Sequence, residues 1–357
     1  MSVIALARPE LLRLQPYSSA RMEASSGSVW LNANELPWSP GIVTSAGLNR
    51  YPQPQPPELL DALAALYGVR AAEVFVGRGS DEAIDLLTRA FCAAGASNVV
   101  INPPTFGMYA VAARIQGAAV REVPLLSRQG YALDVPGILA AVTAQTRLVY
   151  VCTPNNPTGN AVGAEPLRQL AEALRGRALL VVDEAYAEFA DAAPGLPLRS
   201  AYEHVVVLRT LSKAHGLAGA RIGVAVADTE VIQLLRRIMA PYPLPGPSVA
   251  AALAALQPAA LADTRSRVAL LREERARLGA ALAVSNEVIE VLPSQANFLA
   301  VRLRDPQATY ERLAAAGIIV RSLSRYAGLT DALRFSVGTP DENGALLAAL
   351  PSTAGVP

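Results

Sequence analysis

The sequence predicts an α/β protein in two parts: a large domain around a mostly parallel β-sheet, then a smaller α+β domain. Two observations predict this. Between residues 73 and 227, short apolar β-branched runs alternate with amphipathic helical stretches, the pattern of strands buried on both faces by crossover helices. After a cluster of prolines (Pro241, Pro243, Pro245, Pro247) the rhythm changes to a long helical span followed by strands and helices in mixed order. With 357 residues, 52% apolar and only 17% charged, the chain has material for one large or two modest well-filled cores.

In chain order, residues 1–30 lack periodicity and read as an N-terminal arm, and 31–57 is a Pro-, Asn- and Gly-rich loop. Seven apolar runs follow, at 73–77, 98–102, 119–125, 147–152, 178–183, 205–209 and 222–227. Helical spans such as 81–93, 106–116 and 164–175 separate most of them, and the large domain takes in 31–247. Beyond it, 248–284 reads as one helical span. Strands are expected at 288–292, 297–303, 318–321 and 333–337, with helices near 306–316 and 342–350, so that 248–357 forms the small domain. There is no internal repeat.

The totals exclude several functions. Thirty-one basic against 30 acidic residues leave a net charge of +1, so nothing marks a nucleic-acid or membrane surface. Two cysteines, Cys92 and Cys152, provide neither a disulfide framework nor metal-ligand spacing. Two histidines, His204 and His215, leave little for a His-based triad or a metal centre. The N-terminus has no signal-peptide pattern, and the most apolar later stretch, 240–261, is broken by five prolines. The expectation is a soluble cytoplasmic protein without a metal, acting on small molecules.

Lys213 is the only lysine; the other 30 basic residues are arginine. Arginine serves wherever charge alone is needed, but its guanidinium stays protonated and cannot act as an amine nucleophile. A lysine can lose its proton and form a Schiff base with a carbonyl. Its neighbours sharpen the point, because ligands of open α/β sheets bind beyond the carboxyl ends of the strands. There the run at 73–77 is followed by Arg78-Gly79-Ser80-Asp81, a helix start suited to an anion such as phosphate. Taken alone, Ser80 reads more simply as an N-cap. The run at 98–102 leads to an aromatic ring, Phe106, and the run at 147–152 leads to the amide of Asn156. The run at 178–183 ends in Asp183-Glu184-Ala185-Tyr186; a carboxylate ending a buried strand needs a partner, and the pyridinium of pyridoxal phosphate suits it. A capping role for Asp183 is an equal alternative on that motif alone. The run at 205–209 leads to Thr210, Ser212 and Lys213, with Arg221 eight residues on, able to hold a phosphate bidentately. No single piece is specific; the set is.

Three of these motifs carry a resemblance: Thr210-Leu-Ser-Lys-Ala-His-Gly-Leu-Ala-Gly-Ala-Arg-Ile-Gly223, Asn155-Asn-Pro-Thr-Gly159 and Asp183-Glu-Ala-Tyr186. Together they resemble the fold-type-I pyridoxal-phosphate aminotransferases. Pro16-Tyr-Ser-Ser-Ala-Arg21, Leu31-Asn-Ala-Asn-Glu35, Arg50-Tyr-Pro-Gln-Pro-Gln55, Pro103-Pro-Thr-Phe-Gly-Met-Tyr109, Ala240-Pro-Tyr-Pro-Leu244 and Leu333-Arg-Phe-Ser-Val-Gly338 narrow it to the branch acting on histidinol phosphate. The resemblance runs from the arm to the final strand. It implies a seven-stranded, mostly parallel sheet, an arm that packs with the small domain, and a homodimer.

Carried onto this sequence, the resemblance implies that Lys213 forms the Schiff base with pyridoxal phosphate and then acts as general base. Asp183 would pair with the ring nitrogen, Asn156 and Tyr186 would hold the phenolic oxygen, and Phe106 would stack on the ring. The cofactor phosphate would lie among Gly79, Ser80, Asp81, Thr210, Ser212 and Arg221, with Tyr51 reaching in from a second subunit. Arg334, helped by Arg321, Tyr17 and Asn34, would hold the substrate, with its phosphate on the arginines. The implied reaction passes the amino group of L-histidinol phosphate to 2-oxoglutarate. Phe106 departs from the Tyr of many relatives, and His215 stands where Phe or Tyr is common. A base is already placed in Lys213, so His215 is given no catalytic role, and His204 reads as a strand-edge residue. Within the same fold, an aromatic amino-acid aminotransferase and a threonine-phosphate decarboxylase would use nearly the same residues. A regulator built on such a domain would need a DNA-binding module, for which the first 30 residues are too few and carry no basic cluster.

Overall fold

All seven apolar runs of the large domain pair into one sheet. The computed structural model describes residues 2–16, 32–36, 38–39 and 47–350. The strands are β1 (Val74–Arg78), β2 (Asn98–Ile101), β3 (Ala119–Glu122), β4 (Thr146–Cys152), β5 (Leu179–Asp183), β6 (Val205–Thr210) and β7 (Ile222–Val226). Their spatial order is β1-β7-β6-β5-β4-β2-β3. The pairings from β6 across to β3 are parallel, while β7 runs against both its neighbours.

Successive side chains of a strand point to opposite faces, and here both faces are apolar. In β5, Leu180 and Val182 join a core with Leu59 and Leu167, whereas Leu179 and Val181 join another with Ile84 and Leu235. The helices Pro57–Tyr67 and Ala164–Leu174 thus cover one face, and Ser80–Phe91 and Thr229–Ile238 the other. Each fully buried Leu or Val contributes about 1.5–3 kcal/mol of transfer free energy. Because only β7 is reversed, the carboxyl ends of the other six strands open on one side. Function gathers there.

The small domain is an antiparallel sheet of β8 (Val288–Val291), β9 (Phe298–Leu303), β10 (Arg321–Ser322) and β11 (Ala332–Ser336), in the order β10-β11-β9-β8. Helices Pro306–Ala315 and Pro340–Ala348 back it through Leu313 and Leu346. The expected strand at 318–321 survives only as the two residues of β10.

Three expectations are corrected. The single helical span at 248–284 is two helices, Gly246–Ala255 and Pro258–Ala283; Pro258 fits the first turn of a new helix but not the interior of a continuing one. The first helix belongs to the large domain, since Ala252 and Leu256 sit in its core, and Leu261 of the second packs on that core too. Leu278 and Leu282 belong instead to the small-domain core. The boundary therefore lies inside the long helix rather than at 247/248. The arm, finally, packs on the large domain over its described residues. Val3 and Ala7 enter the core beside Phe91, the Arg8 N–H reaches Ala90 O at 3.0 Å, and Arg237 Nη1 donates to Leu12 O at 2.8 Å. Val3 and Ala7 are apolar, and burial in that core takes them out of water. Among the described residues no helix is long and apolar enough to cross a membrane.

Candidate active site

A cavity of about 660 Å³ opens at the carboxyl ends of β1, β4, β5 and β6, under β10 and β11 of the small domain. It is lined by Gly79, Ser80, Asp81, Phe106, Asn156, Asp183, Tyr186, Thr210, Ser212, Lys213, Arg221, Arg321 and Arg334, all anticipated from the sequence.

The β1 end turns into the Ser80–Phe91 helix through Gly79, which is itself the N-cap with φ +80°. Ser80 is the first helical residue and makes no capping bond, so its hydroxyl and the free helix N–H groups face the cavity together. Gly223 makes this turn possible: a Cβ there would lie 2.0 Å from the backbone of Gly79 and Ser80. Arg221 approaches from β7 with φ +57°, an uncommon conformation for a side-chain-bearing residue, and its Nη2 bonds Asp81 Oδ2 at 3.0 Å. Thr210 Oγ1 is bound between Ile222 O (3.2 Å) and the Ser212 N–H (3.1 Å), which shapes the loop carrying Lys213.

Lys213 itself is exposed along the cavity, with Nζ 5.6 Å from the centre of the Tyr186 ring. Removal of bulk water lowers its pKa, and the Arg334 and Arg221 guanidiniums lower it further against the pull of Asp81 and Asp183. The neutral amine is therefore easier to reach than in free lysine. Asp183 is buried at the cavity floor, and desolvation raises its pKa from 3.8 to about 6 in spite of hydrogen bonds from Tyr109 Oη (2.7 Å) and the Ala185 N–H (3.1 Å). Among the described residues no arginine or lysine forms an ion pair with it, and Lys213 acts on it only through its charge. Asn156 Nδ2 donates to Tyr186 Oη at 3.2 Å, and Asn156 Oδ1 accepts from Arg334 Nη1, joining the large-domain loop to β11.

The small-domain wall is basic. Arg321 and Arg334 sit directly opposite each other in the β10–β11 pair, an arrangement that repels unless an anion lies between them. Among the described residues neither makes an ion pair with a carboxylate, and nor does Arg325 beside them. Arg325 and Tyr326 were not anticipated; the turn before Gly328 carries no motif that marks them. Tyr109 was quoted only within a motif, and its contact with Asp183 has no local signature.

Other expected residues lie elsewhere. Tyr51, 48% exposed, stacks on Tyr242 (ring centres 4.4 Å apart) in a separate groove that Asn34 also lines, so one chain does not bring either to Lys213. Tyr17 lies outside the described residues. His215 faces a different cavity with Tyr67, Glu188 and Arg209. His204 does sit at the edge of β6, directly before Val205, and is buried there, its Nε2 2.7 Å from Ala171 O and its carbonyl accepting from the Leu180 N–H at 3.0 Å. Beneath the Lys213 loop, buried Arg209 lies 3.4 Å from the carboxylate of Glu184, coupling the strand ends that carry Lys213 and Asp183.

The chain is similar to known proteins over most of its length. The family described as aminotransferase class I and II matches residues 20–350. A histidinol-phosphate aminotransferase of Xylella fastidiosa (strain 9a5c) is 50% identical over 358 residues, covering 100% of this chain and 98% of its own. The Stenotrophomonas maltophilia enzyme of that name is 49% identical over 98% of this chain and 96% of its own. The crystal structure of histidinol-phosphate aminotransferase from Sinorhizobium meliloti in complex with pyridoxal-5′-phosphate superposes with a TM-score of 0.77 at 32% identity, over 85% of this chain and 82% of that one.

Proposed function

This chain belongs to the class I and II aminotransferases, and on that premise we propose that it moves the amino group of L-histidinol phosphate to 2-oxoglutarate, in histidine biosynthesis, using pyridoxal 5′-phosphate. The observation that carries this reading is one cavity uniting the lone lysine, a desolvated aspartate and a helix N-terminus, opposite a wall of arginines.

The donor set fits the cofactor. Ser80, Ser212, the helix N–H groups and Arg221 suit a dianionic phosphate, Phe106 offers a flat face, and the Asp183 carboxylate calls for a protonated ring nitrogen. When bound, pyridoxal phosphate supplies an aldehyde for amines to condense with and a ring that withdraws electrons from the reacting carbon. The chain's own groups do the rest. Lys213 Nζ, its pKa lowered, would hold the cofactor by its aldehyde and would be the group placed to take and return the proton at substrate Cα. Asp183 holds the ring nitrogen's proton. Tyr186, whose phenol burial keeps protonated, donates to the phenolic oxygen alongside Asn156. Arg334, Arg321 and Arg325 hold the substrate's phosphate, and in the second half-reaction a carboxylate of 2-oxoglutarate. Release of one product before the second substrate enters gives ping-pong kinetics.

An absorbance spectrum of the purified protein tests this directly. The bound cofactor gives a visible band that L-histidinol phosphate, without any keto acid, converts to the absorbance of the aminated form. A band indifferent to histidinol phosphate but responsive to an aromatic amino acid, or release of carbon dioxide from threonine phosphate, replaces the substrate assignment.

The reading includes a cytoplasmic homodimer in which Tyr51 serves the partner's cavity. Its support is the position of Tyr51 and Asn34, exposed and lining a groove separate from the cavity of their own Lys213. Mixing Lys213→Ala with Tyr51→Ala protein, each weakly active alone, then restores roughly a quarter of wild-type activity through mixed dimers with one intact site. No recovery after subunit exchange sinks the shared site.

A further inference from the structure

We propose that Tyr109 is a positioning residue for the cofactor: its hydroxyl, donated to Asp183 Oδ2, aims the carboxylate that meets the ring nitrogen. This rests on the reading of the cavity as a pyridoxal-phosphate site. Tyr109, the second residue of the Met108–Gln116 helix, is fully buried beneath the cavity floor. Its ring stacks on Tyr150 (4.6 Å between centres, 9° between planes) and takes Phe106 edge-on at 5.6 Å. Tyr150 is itself tied to Thr88 Oγ1 at 3.1 Å, and Thr88 donates to Ile84 O at 2.8 Å. The ring cannot swing away, and the hydroxyl meets Asp183 Oδ2 at 2.7 Å. On the other oxygen the Ala185 N–H holds Oδ1 at 3.1 Å. Two donors fix the plane of the carboxylate, and each oxygen keeps a lone pair for a further partner.

The hydroxyl also acts electrostatically. Burial and Asp81 favour the neutral acid at Asp183, while Tyr109, the Ala185 N–H and Lys213 favour the carboxylate. Tyr186 and Cys152 also face it, both held protonated by burial. Tyr109 is held neutral too, chiefly by burial, so it remains a donor at every working pH. Deleting the hydroxyl raises the Asp183 pKa further into the neutral range, where a growing fraction of protonated acid no longer holds a pyridinium.

Tyr109→Phe keeps both ring contacts and loses only the hydroxyl. Apoprotein is titrated from pH 6 to 8.5 with pyridoxal phosphate and with its carbocyclic analogue lacking the ring nitrogen. The variant is expected to bind pyridoxal phosphate about tenfold more weakly at pH 6.5, with the gap narrowing toward pH 8.5, while the analogue binds as it does to wild type. Equal affinities for pyridoxal phosphate at every pH, or an equal loss for both ligands, overturns the proposal, as does a variant that no longer folds. If wild type binds neither ligand, it is the cofactor reading that fails.

Discussion

Replacing Lys213 with alanine is expected to lower amino transfer by about 10⁴-fold or more, the upper range for a positioned acid–base group, since nucleophile and proton carrier vanish together. The more telling variant is Lys213→Arg. It restores the charge on a side chain of similar reach, and the chain already uses arginine at every other basic position. A guanidinium can neither condense with an aldehyde nor take a proton from carbon at neutral pH. Both variants should therefore be equally inactive in a single-turnover assay, while still binding pyridoxal phosphate through Ser80, Ser212 and Arg221 of the same cavity. Activity in Lys213→Arg above a few percent of wild type means that this lysine supplies only charge.

Asp183→Asn is expected to move stability and activity in opposite directions. Folding raises the Asp183 pKa from 3.8 to about 6, so the folded apoprotein binds that proton more tightly than the unfolded chain does. The carboxylate therefore subtracts nothing at pH below about 4, and an increasing amount as pH climbs to about 6. Above that its full cost is about 3 kcal/mol, at about 1.4 kcal/mol per pKa unit. Asparagine carries no charge to desolvate and still accepts from Tyr109. The apo variant should thus unfold at higher urea than wild type at pH 8 and match it near pH 4. Turnover should fall by about 10²–10³-fold, the range for removing one preorganised electrostatic stabiliser. Denaturant titrations of apoprotein at the two pH values check the first part. A variant less stable than wild type at pH 8 contradicts it. Strain of this kind is stored where a ligand relieves it.

Most of the large domain was legible because its signals are local. A run such as Leu179–Asp183 is apolar on both faces, which only a sandwiched parallel strand explains, and the residues after each run sit at the sheet's carboxyl edge whatever the strand order. Periodicity could not divide residues 248–284, because the break is marked by Pro258 alone, a first-turn residue, and not by a change in the helical pattern. Nor could it choose a side for the arm, in which the buried residues among those described, Val3 and Ala7, are too few to show a face.

The sequence by itself determined the candidate chemistry: one amine among arginines, a carboxylate ending a buried strand, and a serine at a helix start. These are properties of residue type and short spacing. Only the tertiary structure decided what meets what. Tyr109 finds Asp183 across 74 positions and Arg334 finds Asn156 across 178, while Tyr51 and Asn34 line a different groove from the cavity that holds the lysine of their own chain. Such pairings depend on strand register and on where one domain comes to rest against another. Nothing in the spacing of residues along the chain encodes either.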